Sequence, residues 1–349
     1  MARTGGSNGT HFLRTIVVAA IVFAVGGAVF TWKALHAPYQ GYQGASATYE
    51  VRRGATTSQI LRGLEKRGVL RDSFVPVLYV KALRRDLRPK AGLYQFDGAM
   101  SPLEVLDRLG RGESLMIQVT VREGLDRFAV AKLMAEEGLG SEKEWLDLTS
   151  DSALVDDLAP EATSLEGYLF PDTYRFSPGT APKVIVEEMV KNFRKHFGTE
   201  LAYIDTGLTV HQTVTLASIV ETEAQLDAER PLIASVYRNR LKKRMLLQAD
   251  PTVIYAMKIA GTWSGNIRKD DLRMSSPYNT YARPGLPPGP IANPGLASLR
   301  AAANPAESEM LYFVAKNDGS HVFAMNLDDH NRNVAEWQKR YWRNRSEQR

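Results

Sequence analysis

Eighteen consecutive residues without a charge, Thr15 to Trp32 (TIVVAAIVFAVGGAVFTW), restrict this chain more than any other stretch. As a helix rising about 1.5 Å per residue they nearly cover the hydrocarbon of a bilayer, and Trp32 is placed as an interfacial anchor. A cleaved leader would have an apolar region of about 7–15 residues ending at a small-residue site. The ending available here, Ala34-Leu35-His36-Ala37, is a poor one. The expectation is an uncleaved anchor over 15–32. Arg3, His11 and Arg14 precede it, so the positive-inside rule leaves residues 1–14 in the cytoplasm and everything beyond Lys33 outside.

The remainder must fold in water. Of 349 residues, 44% are hydrophobic and 24% charged, an ordinary globular balance rather than a disordered one. The net charge of +5 is spread along the chain and matches no nucleic-acid module. With no cysteine, disulfides, thiolate metal sites and cysteine nucleophiles are excluded.

A Gly/Gln/Tyr-rich linker occupies 33–46. Residues 47–115 read as a small module: a strand at Thr48 to Arg52, a capping box Thr56/Gln59 opening a helix, a strand GLYQF at 92–96, and a second box Ser101/Glu104 with Pro102 at the first helical position. The opening YEVRRGATTSQILRGL resembles a LysM-like carbohydrate-binding unit, with a plain packing domain as the alternative. The third region, 116–345, starts at the strand MIQVTV. An amphipathic helix follows, with Phe128, Leu133 and Met134 as core candidates. The fold class expected is α+β: one transmembrane helix, the small module, then a mixed α+β domain.

Within this domain SLEGYLFPDTYRF (164–176) mixes aromatic rings with Glu166 and Asp172, as sugar clefts do, although core packing accounts for the same rings. Asp250-Pro251 and Asn293-Pro294 read as helix starts. Pro277 to Gly289 must be an irregular shaped loop. Asn317-Asp318-Gly319-Ser320 joins two short strands. His330 to Arg343 reads as a closing basic helix carrying Trp337 and Trp342.

The candidate catalytic helix contains HQTVTLASIVETEA. Val214, Ala217, Ser218 and Glu221 fall in one row, so Glu221 shares a face with small and apolar residues, which favours a general acid. Glu223 points about 200° away and is expected to meet solvent. The alternative for Glu221 is an ion pair with Arg230 or Arg238.

Taken in order, EGYLFPDTY, ASIVETEA, RPLIASVYRNRL, MLLQADPTVIYAM, SPYNTY, GLPPGPIANPG, YFVAKNDGSHVFAMN and DDHN resemble the YceG-like endolytic murein transglycosylases, also called the MltG family. The resemblance runs from about Lys33 to Lys339. It implies an inner-membrane enzyme facing the periplasm that cleaves nascent peptidoglycan glycan strands internally, with Glu221 as its catalytic glutamate. The same Glu would protonate the glycosidic oxygen and then, as a base, close a 1,6-anhydro ring. Substrate-binding candidates are Tyr174, Gln248, Asn279, Tyr281 and Glu166; Gln248 and Asn279 could equally brace the long loop. His321 and His330 read as structural, with no acidic partner at ligand spacing, so no metal and no organic cofactor are expected. The partners implied are glycan strands, the inner membrane, and penicillin-binding proteins with the elongation or division machinery. Two rivals stand beside this reading: a catalytically silent, membrane-tethered peptidoglycan-binding scaffold, and a conventional muramidase. The muramidase needs a second carboxylate about 5–9.5 Å from the first, for which Glu166, Asp172 and Asp250 are candidates.

Overall fold

The computed structural model describes residues 8–84, 86–201 and 204–340. Arg3 before the span, and Trp342 and Arg343 at the C-terminus, lie outside them. The chain divides between Ile117 and Gln118 into two compact units.

In the first unit, α1 (Asn8–His36) carries a span, Phe12–His36, that is apolar enough to cross a membrane and buries none of it in the fold over its most apolar window. Toward its C-terminal end α1 meets the fold: Leu35 is buried, and α1 packs against the helices that follow. Strand β1 (Ala47–Val51) pairs antiparallel with β2 (Gly92–Phe96), setting Tyr49 opposite Tyr94. Between them lie α2 (Thr57–Lys66) and α3 (Phe74–Leu83), and α4 (Pro102–Arg111) follows. Both capping boxes form as the spacing requires, each cap contributing about 1 kcal/mol. Ile60, Leu61, Leu64, Tyr94, Phe96, Val105 and Leu109 make one core. Helix α3 was not legible in FVPVLYVKAL, an apolar run without helical periodicity whose Pro76 sits in the first turn, where a missing N–H costs nothing. The strand–helix–helix–strand order does not by itself make a LysM unit.

The second unit is mixed α+β. Strand β3 (Ile117–Val121) pairs with β4 (Asp172–Phe176), and Thr120 and Thr173 hydroxyls meet at 2.9 Å. Between them run α5 (Arg127–Glu136), capped by Asp126, and α6 (Glu142–Thr149). Met134 is core as expected, whereas Phe128 and Leu133 are half-buried. Then come α7 (Pro182–Glu200), α8 (Val210–Glu223), α9 (Arg230–Lys242), α10 (Asp250–Ile259) and α11 (Leu296–Ala303). A hairpin of β5 (Tyr312–Ala315) and β6 (His321–Ala324) turns at Asn317 and Gly319, both in the left-handed region. Finally α12 (Leu327–Val334) continues helically to Arg340.

Helix α8 is the centre of this unit. Every residue from Thr213 to Val220 is buried, and α9, α10 and α11 pack around it. Two expected helix starts shift. Asp250 is the first helical residue rather than a cap, because Tyr281 holds its carboxylate. The last helix of the long loop begins at Leu296, because Asn293 is spent bracing other segments.

Candidate active site

Beyond its buried stretch, which ends at Val220, α8 reaches the surface with Glu221, Thr222 and Glu223. At about 100° per residue the two carboxylates leave on nearly opposite faces. Their surroundings differ accordingly.

Glu221 faces inward. Its side chain is 5% exposed. One oxygen accepts from Arg230 Nη2 at 2.9 Å and the other from the Gly295 N–H at 3.0 Å. Arg230 also donates to Asp227 at 2.6 Å and to Ser298 Oγ at 2.9 Å, with Glu123 3.9 Å away. Burial raises the Glu123 carboxyl above its ordinary range, and the negative charge of Glu221 adds to this against the pull of Arg230. Of the two arginines considered as ion-pair partners of Glu221, Arg230 is the one that meets it; Arg238 donates to the Thr206 carbonyl instead.

Glu223 is half-buried, reaching solvent through a cleft rather than standing free on the surface as the helix alone suggests. It accepts from the Tyr237 hydroxyl at 3.1 Å and lines a cleft of about 390 Å³ with Arg240, Gln248, Asp250, Tyr281 and His330 among its other walls. Burial pushes its carboxyl up to about 7; the bond from Tyr237 opposes this, and the nearby Asp250 charge reinforces it. A carboxyl that titrates near neutrality on the wall of a cleft is what general acid–base chemistry requires.

Each wall is held in place. The buried Arg240 guanidinium donates to the carbonyls of Leu311 at 2.7 Å and Leu247 at 2.8 Å and lies over the Tyr312 ring. The Tyr281 hydroxyl donates to Asp250 at 2.6 Å. Gln248 adopts φ 52°, a left-handed conformation unusual for a residue with a side chain, and its N–H donates to the Thr280 carbonyl. His330 stacks on Tyr312, and burial, with the nearby Arg240 charge, lowers its basicity.

Of the expected substrate-binding residues, Gln248 and Tyr281 line this cleft. Asn279 does not. It is fully buried, donating to the carbonyls of Leu272 and Met274 and accepting from the Tyr281 N–H, so it braces the loop. Tyr174 is buried in β4 with its hydroxyl on the Phe170 carbonyl. Glu166 is buried and accepts from the one Arg127 backbone N–H, shared between its two oxygens, from the Tyr255 hydroxyl and from Asn293, and burial raises it to about 8. Tyr168, Phe170, Tyr174 and Phe176 are likewise buried, so the aromatic-rich stretch is core rather than a sugar cleft. Glu223, Arg240 and His330 also line the cleft and are not among the substrate-binding residues expected from the sequence. The usable signal is Tyr237, which follows the apolar Ile233 and Val236 on α9: a phenol buried among them needs a partner.

His321 does have an acidic partner: Glu229 bonds both its ring Nδ1, at 2.7 Å, and its backbone N–H, at 2.9 Å. Among the described residues no group of three histidine or acidic side chains could hold a metal ion.

Residues 49–336 match the sequence model of the YceG-like family. An endolytic murein transglycosylase of Bacillus subtilis is 34% identical over 325 residues, covering 88% of this chain and 89% of the relative. One from Streptococcus pneumoniae is 32% identical over 321 residues, covering 83% of this chain but 58% of that longer protein. The crystal structure of a yceG-like protein from Listeria monocytogenes superposes with a TM-score of 0.53 at 32% identity, covering 82% of this chain and 98% of that one. The family match starts inside β1 and runs through the first unit, the central helix and the cleft without a break, and on these matches the chain belongs to the YceG-like family.

Proposed function

We propose that the chain is a membrane-anchored endolytic murein transglycosylase whose general acid is Glu223. The observation that carries this reading is the Glu223 carboxyl, raised to about 7 on the wall of the polar cleft. The activity named for relatives at 32–34% identity supplies the substrate class.

In the first step Glu223 gives its proton to the oxygen joining N-acetylmuramic acid to N-acetylglucosamine, and the C1–O bond breaks with its electron pair on the leaving sugar. The carboxylate then takes the proton of the muramyl C6 hydroxyl. That oxygen closes on C1 to form a 1,6-anhydro end, and Glu223 is protonated again without consuming water. Tyr237 steadies the carboxylate between the two steps, and Arg240 supplies a fixed positive charge in the cleft. Glu221, with both oxygens engaged, positions the end of α8 through Arg230 and Gly295.

A second reading has its own observation. Asp250 lines the same cleft and acts electrostatically on Glu223, so a muramidase using Asp250 to activate water is the rival. Glu166 and Asp172 support no such role, since neither lines the cleft. A silent scaffold would need neither carboxylate.

Helix α1 would anchor the enzyme with its short N-terminus in the cytoplasm and the folded units outside. Association with penicillin-binding proteins and the elongation or division machinery rests on the family resemblance.

Mass spectrometry of uncrosslinked glycan strands incubated with the parent, Glu223→Gln and Glu221→Gln tests the reading. Internal fragments with anhydro ends from the parent, and none from a folded Glu223→Gln, are expected. Reducing ends would establish the muramidase, and activity that survives Glu223→Gln but not a folded Glu221→Gln would return the acid to Glu221.

A further inference from the structure

A second cavity, of about 310 Å³, lies in the first unit where α1 leaves its apolar span. Phe30, Ala34, Leu70, Val75 and Pro102 give it an apolar interior, and Lys33 and Arg71 also line it. Its depth along α1 is informative. Phe30 is six residues before the end of the helix, about 9 Å at 1.5 Å per residue, and two residues inside Trp32. A wall of the folded module therefore stands beside residues of the membrane span itself. Helix α3, which supplies Val75, leaves Phe74 72% and Leu78 57% exposed four residues apart on one face. In water that face is costly; at the acyl boundary of a bilayer it is stabilising.

The charges at this site favour an anion. Lys33 and Arg71 are both exposed, and Arg71 stacks over the Tyr39 ring, which fixes its direction. The one acid in the lining, Asp72, accepts from the N–H groups of Phe74 and Val75 and so caps α3.

We propose that this cavity binds one anionic phospholipid from the leaflet that α1 enters on the side of the folded module. An acyl chain occupies the apolar interior, the phosphate lies between Lys33 and Arg71, and Phe74 and Leu78 enter the same boundary layer. The bound lipid holds the first unit against the membrane surface. The inference rests on α1 spanning the membrane, as the proposed function also does.

Because the chain has no cysteine, single labels can be placed without background. The full chain, carrying an environment-sensitive dye at Phe23→Cys, Phe74→Cys or Arg53→Cys, is reconstituted in vesicles of phosphatidylcholine with phosphatidylglycerol. Spin labels high on the lipid acyl chains should quench Phe74→Cys, spin labels deep in the chains should quench Phe23→Cys, and neither should quench Arg53→Cys. Quenching at Phe23→Cys without any at Phe74→Cys overturns this inference and leaves the membrane anchor standing; no quenching at Phe23→Cys overturns the anchor itself.

Native mass spectrometry of the full chain released from the same vesicles reads the bound lipid. One retained phosphatidylglycerol is expected, weakened about fivefold by Lys33→Gln or Arg71→Gln and lost in Ala34→Phe, which fills the cavity. Equal retention of phosphatidylcholine, or retention unchanged by all three substitutions, overturns the site.

Discussion

Tyr237 of α9 donates its hydroxyl to Glu223 at the end of α8 across 3.1 Å. This bond holds the Glu223 carboxyl down while burial and Asp250 push it up to about 7. Tyr237→Phe should therefore raise it further. Such a bond stabilises a carboxylate by about 1.5–3 kcal/mol, so the pH profile of glycan cleavage should move upward by roughly one to two pH units. An unmoved profile would disconnect Glu223 from the rate.

The same carboxyl links stability to pH. Folded Glu223 binds a proton up to about pH 7, whereas the unfolded chain releases it around the ordinary 4.5. The folded state holds more protons between these values, so this contribution is fully present below pH 4.5 and lost as pH rises through 7. Glu223→Gln should flatten the decline in denaturant-measured stability across that window by an amount on the order of 3 kcal/mol. A parallel pair of curves would contradict the raised value.

Arg230 should matter more for folding than for chemistry. Arg230→Ala strips a buried carboxylate, Glu221, of its charge partner and leaves Glu123 beside it. The expected loss is about 3–5 kcal/mol, measurable as a fall in Tm. Arg230→Lys should recover little of it, because a lysine cannot reach Glu221, Asp227 and Ser298 together.

Gln248 separates backbone from side-chain effects. Its left-handed φ favours glycine, so Gln248→Gly should leave Tm unchanged or slightly higher while removing a polar cleft wall. A raised KM with a near-parental Tm is the outcome expected from steady-state kinetics and thermal melts. Asn279→Ala should do the reverse, lowering Tm by the loss of two buried donors that hold the loop.

Much of the fold was legible because it is set locally. The capping boxes at Thr56 and Ser101, the strand at Gly92 to Phe96, and the Asn317–Gly319 turn depend on residues within a few positions of one another. Helix α3 and the aromatic-rich stretch were not legible. A continuous apolar run suits a strand, a helix or a buried loop, and only its packing partners choose among them.

The two glutamates show where sequence stops. Helical periodicity alone determined that Glu221 and Glu223 point to opposite sides of α8, and the uncharged span alone determined that α1 can cross a membrane. Neither could say which glutamate would be sealed. That was decided by Gly295, 74 positions beyond Glu221, and by Arg230, which together close over one carboxylate. It was decided equally by Tyr237, Gln248, Asp250, Tyr281 and His330, which build an open cleft around the other. A carboxyl takes its proton affinity from desolvation and nearby charge, and both depend on segments that only the tertiary fold brings together.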